Sequence, residues 1–176
     1  MPVRADTRAL VHTALLLAVA SVIGYLETVM WPPLLVPGLK LGLANIAVII
    51  ALVSLGPARA AAVSIGRVFV VALASGTVGG PVFAMSLAGA AASLAVMVAL
   101  RRFGPVFSVV GWAVAGSATH CLAQLAVAAI LVGSVAPLAL APLSLGLSLP
   151  SGLAIGCTAR LLISRMPRPV LSAAGR

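Results

Sequence analysis

Leu10-Val-His-Thr-Ala-Leu-Leu-Leu-Ala-Val-Ala-Ser-Val-Ile-Gly-Tyr-Leu-Glu-Thr-Val-Met30 is the stretch that decides the fold. At a rise of about 1.5 Å per residue it is long enough, as a helix, to cross a hydrocarbon core roughly 30 Å thick. Its first acidic residue, Glu27, comes only near its end. Arg4 and Arg8 precede it in the manner of a signal peptide, but the apolar run is too long for one and similar runs follow. It reads as a retained first transmembrane helix.

Working outward, apolar runs of comparable character occupy Gly38–Leu55, Ala60–Ser75, Val82–Leu100, Val106–Val132 and Leu143–Ile163. The chain is 62% hydrophobic and 7% charged, with a mean hydropathy of +1.26, far too apolar for a water-exposed surface. The sequence therefore predicts an all-α membrane protein, a compact bundle of about six transmembrane helices over residues 10–163. A cytoplasmic N-terminus (1–9) and a basic cytoplasmic tail (164–176) flank it, and the bilayer is the cell membrane. The third run is short and contains Arg67. Pro150 should kink the sixth helix.

Eleven basic residues face two acidic ones, but aromatic residues make up only 4% and the basic residues stand singly between apolar runs, which argues against nucleic acid as a partner. Their placement instead reports topology. Arg4, Arg8, Arg59, Arg101, Arg102, Arg160, Arg165, Arg168 and Arg176 fall at the N-terminus, in alternate loops or near the C-terminus, whereas the opposite loops hold only Lys40. Lysine and arginine stay on the cytoplasmic side, so both termini are expected there, with Trp31 in the opposite interfacial belt. Cys121 and Cys157 lie within apolar runs, and no disulfide is expected.

Polar groups inside the membrane each need a partner or a wet cavity. Glu27 lies roughly 25 Å up the first helix, Lys40 at the mouth of the second, and Asn45 about 8 Å below it. His120 and Gln124, four apart, share a face of the fifth helix at a similar depth. This convergence suggests an outward cavity ringed by helices one, two and five. The plainer alternative is an interfacial Glu27–Lys40 ion pair with His120 and Gln124 bonded between helices. Arg67, about 12 Å above Arg59, has no acid at its own depth. It could snorkel, bond carbonyls freed at Pro150, or hold an anionic ligand group.

The chemistry that is missing also informs. No phosphate-loop motif occurs, so ATP hydrolysis by that route is excluded. One Asp and one Glu cannot supply paired-carboxylate catalysis or a carboxylate-held magnesium, so neither an enzyme nor a metal or cofactor site is expected.

Val36-Pro-Gly-Leu-Lys-Leu-Gly-Leu-Ala-Asn-Ile46, after a first helix ending near Glu27, resembles the small membrane proteins called Gx transporters, also known as heptaprenyl diphosphate synthase component I. Gly66-Arg67, the His120 and Gln124 pair, and a Pro-containing sixth helix with Gly152 and Gly156 extend the resemblance over about Leu10 to Ile163. The family is similar in size and helix number to S components of energy-coupling factor transporters, which work with a transmembrane coupling protein and ATPases. Their first-helix Ala-x-x-x-Ala motif is matched by Ala14 and Ala18. The resemblance implies a substrate-binding subunit of an uptake transporter, energised by partners and docking them through Ala14 and Ala18. Its small solute, anionic or isoprenoid-related, would be held by Glu27, Lys40, Asn45, Arg67, His120 and Gln124. Two rival readings are a stand-alone secondary carrier and a non-catalytic membrane partner of a prenyl diphosphate synthesis enzyme.

Overall fold

The computed structural model describes residues 2–30, 42–103 and 106–166, and all of their regular structure is helical. Six α-helices occur among them: α1 (Pro2–Met30), α2 (Asn45–Ser54), α3 (Pro57–Ser75), α4 (Pro81–Arg102), α5 (Val109–Val132) and α6 (Ala141–Ser164), with a 3-10 turn at Ala136–Leu140 leading into α6. Five of these stretches are long and apolar enough to cross a membrane. The chain is an all-α membrane bundle.

Helix boundaries follow local chemistry. Pro57 and Pro81 open α3 and α4, where a missing N–H costs nothing. Gly76 closes α3 in the left-handed conformation, φ 67°, and its N–H bonds the Ala72 and Leu73 carbonyls. Ser108 caps α5, its hydroxyl accepting from the Gly111 N–H at 3.2 Å.

The second expected span needs correction. Gly42 has φ 75°, which breaks any helix running through it, so α2 begins only at Asn45. The upstream residues of that run, 31–41, lie outside the described residues. Ten residues rise about 15 Å, half a hydrocarbon core. Eight of those ten are buried, as expected of a helix that is apolar all round. α1, α3, α4, α5 and α6 pack in succession as an arc, and α2 fills its inside, resting on α1, α3, α6 and more lightly on α5. Val48, Ile49 and Leu52 of α2 lie with Val63, Met97 and Ile155 at the heart of the core. The helix at the N-terminus also starts earlier than expected, at Pro2.

Helix α6 runs without interruption through Pro150. Its Gly152 and Gly156 press directly on the α5 backbone: a Cβ at either position would lie 2.8 Å from Val114 Cα or 2.7 Å from Val110 Cα. This small-residue pair is internal packing.

Two contacts sort the helix ends. An Arg101 Nη1 hydrogen bond to the Leu52 carbonyl joins the last turns of α4 and α2. Glu27, Ser75 and Val82 line one pocket and so bring together the end of α1, the end of α3 and the start of α4. The first group marks the basic end of the bundle, where Arg59, Arg102, Arg160 and Arg165 also sit by helix order.

Candidate functional site

A pocket opens at the end of the bundle carrying the α3–α4 turn and reaches inward between α1, α3 and α4. Its cavity volume is about 40 Å³ before the open mouth is counted, room for a few water-sized groups at roughly 10 to 15 Å³ each. Gly24 on α1 opens it, because a Cβ there would come within 3.3 Å of Val71 Cγ2. Val68, Val71, Val82 and Phe83 form its apolar wall, and Phe83 packs edge-on against Phe69 with ring centroids 5.2 Å apart.

Seven of the fourteen lining residues are polar, and they are placed by different helices. Arg67 of α3, only 8% exposed, lines the pocket and donates from Nη2 to Asn45 Oδ1 at 2.8 Å. Its Nε is buried with no hydrogen-bond partner among the described residues. Glu27 of α1 accepts from the Leu43 N–H through Oε1 at 2.8 Å, and its charge acts on Arg67. His120 of α5 reaches the pocket across α4 by lying on Gly89, where a Cβ would meet the imidazole at 2.9 Å. Thr28, Ser75, Thr77 and Ser86 add hydroxyls. Thr28 Oγ1 and Ser75 Oγ bond carbonyls of their own helices, and Ser75 also pairs with Thr77 Oγ1 at 2.9 Å.

Of the expected site residues, the structure brings Glu27, Arg67 and His120 together around this pocket, with Asn45 one hydrogen bond behind it. Gln124 is buried, 5% exposed, and does not line it. Lys40 lies outside the described residues. The expected ring of helices one, two and five becomes α1, α3 and α4, with single contributions from α5 and from Gly42 before α2. Two readings of Arg67 change with it. Its acceptor is Asn45 rather than a carbonyl near Pro150, and it lines the same pocket as Glu27 despite their different depths along their helices. Ala14 and Ala18 are exposed on α1, away from the core.

The arrangement is a pocket with an apolar wall and one guanidinium that the described residues satisfy only in part. That is equipment for holding a small polar molecule. The sequence profile of the family described as heptaprenyl diphosphate synthase component I matches residues 16–162. The chain belongs to this family. The matched region contains every pocket-lining residue. No curated protein and no solved structure matches the chain.

Proposed function

We propose that this chain is a non-catalytic membrane component serving prenyl diphosphate synthesis, and that it binds a small solute in the pocket around Arg67. Membership of the heptaprenyl diphosphate synthase component I family carries the first half of this reading. With one Asp and one Glu, these 176 residues do not hold the magnesium-binding acidic motifs of a prenyl synthase, which a partner enzyme would supply. The partly satisfied guanidinium carries the second half.

A second reading keeps the solute but has the protein carry it inward as the capture subunit of an uptake transporter, powered by a coupling protein and ATPases. The exposed Ala14-x-x-x-Ala18 face of α1 favours it, since small residues at that spacing suit close docking of another helix.

Purification of a tagged copy from native membranes tests both. Recovery of a soluble prenyl synthase, with prenyl diphosphate synthesis falling when this chain is deleted, is the expected result. Recovery of ATPases with no synthase would replace the first reading by the second.

A further inference from the structure

Resting on the reading that the pocket around Arg67 binds a solute, we infer that this solute carries a compact, singly charged oxyanion head, seated at the Arg67 guanidinium, and a short apolar body lying against Val71, Val82 and Phe83. A guanidinium has five N–H donors and always carries its charge. Here one hydrogen bond is described for it, to the neutral carboxamide of Asn45, while Nε is buried without a partner among the described residues. A charge held in a membrane bundle needs more than that. An oxyanion supplies the acceptors, and the short charge-assisted bonds it forms with arginine are roughly twice as strong as neutral ones.

The size of the head's charge follows from Glu27. Its carboxylate lines the same pocket as Arg67, so each further negative charge on the head is repelled by it. A carboxylate or a phosphate monoester in its monoanionic form adds one negative charge. A diphosphate adds more and meets Glu27 with correspondingly greater repulsion. The body is set by the wall: Val71, Val82 and Phe83 from α3 and α4 offer it apolar contact, beside the hydroxyls of Ser75, Thr77 and Ser86.

Charged thiol reagents can stand in for the solute in a test. In a Cys157→Ser background, which removes the exposed thiol and leaves the buried Cys121, Ser86→Cys places a reporter in the pocket. Its reaction is followed in nanodiscs with anionic 2-sulfonatoethyl methanethiosulfonate and with cationic 2-(trimethylammonium)ethyl methanethiosulfonate. Each rate is divided by that of free mercaptoethanol, so that intrinsic reactivity cancels. The anionic reagent should be favoured by about fivefold or more. Arg67→Gln should abolish the preference. Should that variant not fold, Glu27→Gln, whose amide oxygen can still accept from Leu43, should increase it. Equal rates, or a preference for the cation, would overturn the oxyanion inference while leaving a reachable pocket. No reaction with either reagent in folded protein would overturn the solute-binding reading itself.

Protection then separates the sources of the head. Slowed labelling by 3-methylbutanoate supports a carboxylate, by 3-methylbutyl phosphate a phosphate ester, and by phosphatidylglycerol in place of phosphatidylcholine a lipid headgroup. Protection by 3-methylbutanol equal to that of the charged probes overturns the inference, as does protection by none.

Discussion

Arg67 of α3 and Asn45 of α2 are joined by a buried 2.8 Å hydrogen bond that ties the floor of the pocket to the first residue of the central helix. The bond does two things at once. It gives a charged side chain a fixed acceptor, and it holds the N-terminal turn of α2 where Asn45 N–H also bonds the Gly42 carbonyl at 2.8 Å. Asn45→Leu should therefore destabilise the folded protein by about 1.5 to 3 kcal/mol, the range for a hydrogen bond to a charged group. Thermal unfolding in nanodiscs measures it. The double variant Asn45→Leu with Arg67→Leu should cost less than the sum of the two single changes, because it removes both the donor and its need for an acceptor. Strict additivity would show that the two side chains act independently.

His120 and Gln124 share a helix face but meet different surroundings, so their variants should separate. His120→Leu should alter anionic labelling of a cysteine at Ser86, because the imidazole lines the same pocket. Gln124→Leu, buried outside the pocket, should leave labelling within about twofold and act on thermal stability, by roughly 1 to 3 kcal/mol. Gly89→Ala provides a third point. The added methyl would stand 2.9 Å from the imidazole and must displace it, so the labelling rate should change without loss of fold. Restoring the rate with His120→Ala in the same chain would locate the effect in that one contact.

How far the sequence could be read depended on whether length or reach decided the matter. The five long helices were legible because hydrocarbon thickness demands long apolar runs, and such runs stand out. α2 was not legible as a half-length helix, since only the conformation of Gly42 shortens it within the described residues. Glu27, Arg67 and His120 were nameable as polar residues in apolar runs, but helical rise alone put Arg67 at a depth without an acid. That arithmetic follows the backbone and ignores a side chain long enough to cover the difference. Ser75, Thr77 and Ser86 were missed because single hydroxyls in membrane helices usually bond a carbonyl one turn back and signal nothing. Gly24 and Gly89, whose missing side chains make room for the pocket and for His120, were the signal available and went unused.

The two small-residue pairs should respond to bulk in opposite ways. Gly152→Ala would drive a methyl group against Val114 Cα, which is backbone and cannot rotate aside, so the α5–α6 pair must separate. A loss of about 2 kcal/mol or more is expected in thermal unfolding. Ala18→Trp, on the exposed face of α1, should change stability by no more than about 0.5 kcal/mol. If α1 docks a partner, that same variant should lose the partner on purification while still reacting normally at a cysteine placed at Ser86. Normal partner recovery with Ala18→Trp would remove the docking role of this face.

The topology prediction combines charge with the sorting of helix ends. Arg101 of α4 binds the final turn of α2, so the ends of those two helices lie on one side of the bundle, and the pocket gathers the ends of α1 and α3 on the other. Arg59, Arg101, Arg102, Arg160 and Arg165 all belong to the first side by their positions along α3, α4 and α6, and basic residues are retained in the cytoplasm. Cysteines introduced singly at Gly79, in the α3–α4 turn, and at Arg102, at the end of α4, report the two sides in a Cys157→Ser background. A membrane-impermeant maleimide added to intact cells should label Gly79→Cys and spare Arg102→Cys until the cells are opened. The reverse pattern would invert the bundle, making the pocket face the cytoplasm and excluding capture of a solute from outside. Labelling of both sites in intact cells would instead show that α4 does not cross the membrane.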